Sequence, residues 1–124
     1  VSSKITEYSS HTYKLVPSPD VFPHSIYFTI VGQENPIAFF VNSKDMSEYQ
    51  WITITMTSLH RQIQLGRNIN GVIEDMEETF QPNGHYIIAG RNNQRANSIV
   101  HHLGILLRQH VEYHKAKRLR ESGK

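Results

Sequence analysis

A chain of 124 residues, 38% hydrophobic and 19% charged, has the size and make-up of one folded domain and is too short for two separate cores. It contains no cysteine, which excludes disulfides, thiolate metal sites and thiol chemistry from these residues. The formal charge of +2 is small, no apolar run reaches the roughly 18 to 20 residues of a membrane span, and the first residues lack a signal peptide's basic and apolar regions, so we expect a cytoplasmic protein with no membrane partner.

Residues 1–11 are polar and without period and read as a flexible lead-in. A first short strand is expected over 12–16. Pro17, Pro19 and Pro23 then mark a loop, because each lacks the backbone donor that a helix or central strand needs. Over 25–31 the run SIYFTIV is β-branched and aromatic, with Ile26, Phe28 and Ile30 on one face and Tyr27, Thr29 and Val31 on the other. A turn follows, and 37–41 returns as a third strand that ends where Asn42, Ser43, Lys44 and Asp45 favour turns.

Ser47 followed by Gln50 fits a capping box, and Ile52, Met56, Leu59 and Ile63 recur at helical spacing, which predicts an amphipathic helix over 47–65, about 28 Å long, stopped by Gly66. Asn68 or Asn70 is positioned to cap a short second helix in which Val72, Ile73, Met76 and Phe80 share a face. The string Gln81-Pro82-Asn83-Gly84 ends it and turns the chain. Tyr86, Ile87 and Ile88 form a brief extended segment, and 91–97 is polar enough to be an exposed loop. Ser98 caps a last helix whose buried stripe is Ile99, Leu103, Leu106, Leu107 and Val111. Gly104, unfavourable inside a helix, points to close packing against another backbone, and 115–124 is a basic C-terminal tail expected to fray.

Few residues suggest chemistry. His110 and His114 have the four-residue spacing that can chelate a divalent metal, but no third ligand is placed by the sequence, so no metal ligands and no cofactor are assigned and these histidines are expected at or near the surface. Glu74, Asp75, Glu77 and Glu78 fit an acidic outer helix face better than a paired acid and base, and no nucleophile motif or phosphate loop is present, so no catalytic residue is assigned. Trp51, with Tyr49 and Tyr8 as aromatic companions, could stack on bases but reads foremost as a core anchor. Lys44, just ahead of a helix start, and Arg91 and Arg95, in the polar loop, are candidates for a partner or an anion, with Tyr27 on the outer sheet face. Lys115, Lys117, Arg118 and Arg120 are the candidates for nucleic acid.

The string VNSKDMSEYQWI, spanning the third strand and the first helix, resembles the segment reading INSKNMEHFQWI in the C-terminal TSCPD-type domain of adenosylcobalamin-dependent (class II) ribonucleotide reductases. TYKLV and HSIYFTI upstream, and GVIEDMEETFQPNGHYIIAG and SIVHHLGILLRQHVEYH downstream, are similar to further segments of that domain in the same order, so the resemblance covers residues 12–114 as a single domain. Such a reductase uses thiyl-radical and redox-active cysteines, and this chain supplies none.

The expected fold is α+β, a mainly antiparallel sheet of three or four strands covered on one face by two longer helices, with a short third helix. The expected function is that of a stand-alone, non-catalytic relative of the reductase domain, an accessory or regulatory module, inhibition included, that binds a protein partner such as a ribonucleotide reductase. The uncovered sheet face suggests a homodimer or a bound partner. The alternative is a nucleic-acid or nucleotide-binding module using the basic last helix and the 91–95 loop.

Overall fold

The computed structural model describes residues 8–44, 50–81, 84–92 and 94–123. Three strands, β1 (Ser10–Leu15), β2 (Ile26–Val31) and β3 (Ala38–Ser43), form an antiparallel sheet in the order β1-β2-β3. They are followed by α1 (Gln50–Gln64), α2 (Ile69–Glu77), the two-residue strands β4 (Tyr86–Ile87) and β5 (Arg95–Ala96), and α3 (Ile99–Ser122). The fold is α+β, with two longer helices and one short one. Ser47 of the expected capping box, and Tyr49, lie outside the described residues.

The alternation of SIYFTIV sets the two faces. Ile26, Phe28 and Ile30 are fully buried, and Phe39 of β3, opposite Ile30, joins them. Ile52, Met56 and Leu59 of α1 and Val72, Ile73 and Met76 of α2 complete the core with Leu103, Leu107 and Val111 of α3. Trp51 is only half-buried against this core, and Ile63 and Leu106 are likewise partial members.

Register puts Lys14, Tyr27 and Asn42 in one row of the outer face and Thr12, Thr29 and Phe40 in the next. Thr12 and Thr29 join hydroxyls at 2.9 Å. The outer face of the described strands is therefore largely polar, with Tyr27 and Phe40 its exposed aromatics.

Local chemistry fixes the helix ends. Gly66, at φ +96, closes α1 with bonds from its own N–H to Ile63 O and from Arg67 N–H to Gln62 O, each 3.0 Å, the paired pattern of a left-handed C-terminal cap. Asn68 caps α2, its side chain accepting from Asn70 N–H. The Ser98 hydroxyl accepts from His101 N–H at 3.0 Å and donates to Thr79 O at 2.8 Å, so one residue starts α3 and ties it to the end of α2. Phe80 falls outside α2 and is 61% exposed, contrary to its expected place in the buried stripe, because the helix closes at Glu77 one turn earlier.

The α2–α3 seam explains Gly104. A Cβ there would stand 2.8 Å from Met76 Cβ and 3.2 Å from Glu77 N, so only glycine permits the approach. Arg108, one turn on, donates from Nε and Nη2 to both carboxylate oxygens of Glu77, at 2.6 to 3.1 Å. Two further expectations are revised. The 91–97 segment contains β5, whose Ala96 is fully buried and pairs with Tyr86, and residues 115–122 continue α3 as exposed helical turns.

Candidate functional site

Period-two alternation in β1 turns His11, Tyr13 and Leu15 inward while Ser10, Thr12 and Lys14 face out. On α3, His102, His110 and His114 lie on the buried side, with 2 to 5% of their surface exposed, deeper than the surface or half-buried positions the sequence pointed to. At the β1 edge these two patterns meet. The rings of His11, His110 and His114 stand 4.5 to 5.3 Å apart between centroids, and one ring nitrogen from each lies within 4.8 Å of the others.

Their hydrogen bonding is unequal. His110 accepts or donates at both nitrogens, Nδ1 to the Tyr13 hydroxyl at 2.7 Å and Nε2 to the Gly32 carbonyl at 2.9 Å. That carbonyl can only accept, so Nε2 carries the proton and Nδ1 the lone pair. Nδ1 of His11 and Nδ1 of His114 are buried with no hydrogen-bond partner. Burial pushes His110 and His114 below the usual imidazole range; for His110 the Gly32 bond opposes this, while His114 and His11 add to it. For His114 the further depressing charges are His11 and Lys117. The Tyr13 hydroxyl is raised, by burial first and then by Tyr113.

A second buried pair lies nearer the start of α3. The Tyr86 hydroxyl meets His102 Nδ1 at 2.6 Å, and burial, with the charges of Arg91 and His101, pushes His102 down to about 4. Tyr86 is pushed up by burial. Neither group opens onto a cleft of about 780 Å³ between the β2–β3 turn and the helices, lined by Ile37, Ile63 and Ile69 and by Glu34, Arg67, Glu112 and Lys115 among others.

Comparison of the chain with family models, with curated proteins and with solved structures gives no match. The site must be read from its own residues.

The partner and anion candidates belong to different elements. Lys44 is exposed just past the end of β3, Tyr27 is 44% exposed on the outer face of β2, and Arg91 lies within the β4–β5 connection, half-buried, while Arg95, exposed, is the first residue of β5. Lys115, Lys117, Arg118 and Arg120 all sit on the exposed end of α3, but at about 100° per residue they are distributed around the axis and make no single stripe. Arg118 is engaged with Glu34, Nε to Oε2 at 2.5 Å and Nη2 to Oε1 at 3.1 Å. The acidic residues of α2 are likewise structural in part, Asp75 pairing with Arg67 at 2.7 Å and Glu77 with Arg108.

What sequence reasoning missed is His11. It was assigned to the lead-in, yet it is the second residue of β1, and the alternation His11, Tyr13, Leu15 was the available signal. No helix among the described residues is long and apolar enough to cross a membrane.

Proposed function

We propose that this chain is a non-catalytic relative of the C-terminal domain of class II ribonucleotide reductases, acting as an accessory or regulatory module through contact with a protein partner, with a reductase as the first candidate. The observation that carries this reading is the coincidence of the resembling segments with the elements. TYKLV falls on β1 and HSIYFTI leads into and fills most of β2, while GVIEDMEETFQPNGHYIIAG runs from α2 through β4. SIVHHLGILLRQHVEYH begins at the Ser98 cap and covers the buried part of α3.

Two features support binding over catalysis. The 124 residues hold no cysteine to carry a thiyl radical. The cleft mixes isoleucines with charged residues of both signs, Ile37 in its lining is 44% exposed, and Leu65, next in sequence to the lining residues Gln64 and Gly66, is 81% exposed, a mixed apolar and polar surface of the kind a protein contact uses.

The test is association with a class II reductase from which the corresponding C-terminal domain has been deleted, measured by calorimetry and size-exclusion chromatography. A one-to-one complex that Ile37→Asp or Leu65→Asp weakens at least tenfold is the expected result. Affinity weaker than about 100 μM, or binding indifferent to both substitutions, would refute the reading.

A further inference from the structure

We propose that His11, His110 and His114 form a three-histidine site for a divalent transition-metal ion, zinc in the first instance. The strongest observation is the pair of orphaned nitrogens. Nδ1 of His114, on a residue only 5% exposed, and Nδ1 of His11 are both buried without a partner. A buried polar nitrogen lacking a hydrogen bond costs free energy, and here two of them are gathered in one cluster with a third imidazole. An ion accepts both lone pairs at once.

Geometry agrees. His110 and His114 are one turn apart on α3, the spacing at which a helix presents two imidazoles to one ion, and β1 delivers the third from across the fold. Ligand nitrogens at a tetrahedral zinc are about 3.3 Å apart, given bonds near 2.05 Å. The three nitrogens already lie within 4.8 Å of one another, so ring rotations and shifts of about an ångström close the site. His110 is the most constrained ligand, since the Tyr13 hydroxyl holds its Nδ1 and the Gly32 carbonyl its Nε2. One of those hydrogen bonds opens when the ion binds, and the other becomes the outer contact that orients the ring.

The donor set also selects the ion. Three imidazoles without carboxylate or thiolate suit zinc, copper(II), nickel or cobalt and offer nothing to magnesium or calcium, which require oxygen. Three protein ligands leave a fourth tetrahedral position for water or an incoming group. This inference is independent of the reductase-domain reading, because it concerns residues outside the cleft and is tested with metal alone.

The experiment is titration of the chelator-stripped full chain with zinc sulfate by calorimetry, with cobalt(II) as a spectroscopic substitute. We expect one ion per chain, a dissociation constant in the micromolar range or tighter, and visible ligand-field bands of four- or five-coordinate cobalt. His11→Ala and His114→Ala should each weaken binding by about 100-fold or more, while His85→Ala, an exposed histidine elsewhere, should leave it unchanged. Should His114→Ala fail to fold, His11→Ala at the half-exposed strand position carries the mutational arm. Millimolar affinity in the wild type, or binding that His11→Ala does not weaken, overturns the proposal.

Discussion

Acid should destabilise this fold through His102. The ring is 5% exposed, bonded to the Tyr86 hydroxyl, and lowered to about 4 from the ordinary 6.5, chiefly by burial and then by Arg91 and His101. Its folded pKa lies below its unfolded one, so on acidification the unfolded chain takes up the proton first. The contribution is complete above about pH 6.5 and is lost as the pH falls towards 4. A single group shifted this far contributes about 3 kcal/mol at neutral pH, of which about 2.5 kcal/mol is gone by about pH 4.5. Urea unfolding at several pH values should show this loss, superimposed on smaller losses from His101, His110 and His114, which burial also lowers. His102→Gln separates the terms, since glutamine can still accept from Tyr86 but does not titrate. Its stability should fall less between pH 7.5 and 4.5 than the wild type's, by about 2.5 kcal/mol. Parallel stability profiles for the two proteins would refute the assignment.

Three further outcomes are expected. Leu59→Ala, removing a core side chain that is 7% exposed, should cost about 2 to 5 kcal/mol in denaturant unfolding, and a change below about 0.5 kcal/mol would contradict the packing of α1. Gly104→Ala should cost about 1 to 3 kcal/mol, because its Cβ would overlap Met76 Cβ and force α2 away from α3; an unchanged midpoint would show that the seam yields freely. The purified chain should turn over no ribonucleotide with adenosylcobalamin and a dithiol, and turnover that tracks the pure protein would end the non-catalytic reading.

Much of the fold was legible because its local signals act locally. Asn68 and Ser98 bond the backbone of the turn they begin, and Gly66 supplies the positive φ that ends α1, so caps and stops could be read directly. The inner face of β2 followed from alternation alone. β5 was illegible, since only Ala96 in a polar stretch is buried and its pairing with Tyr86 depends on tertiary placement. Gly104 was legible as a close approach, although its partner was not. The histidine cluster was half legible, the His110–His114 spacing being visible in one helix. His11 arrives from a strand about a hundred residues away, and no periodicity spans that distance.

The Tyr13–His110 hydrogen bond joins residues 97 apart in the chain, and this separation bears on the order in which the protein can assemble. During synthesis from the N-terminal side, β1 and β2 can pair early, but the inward side of β1 has no cover until α3 emerges. At ribosomal rates that interval is roughly 5 to 20 s. Throughout it the first hairpin carries an open edge and an uncovered inner face, the features that recruit wrong strands. The polar character of His11 and Tyr13 on that inner face keeps the waiting strand less adhesive than an all-aliphatic one would be, and the last helix then converts two solvated side chains into the final lock.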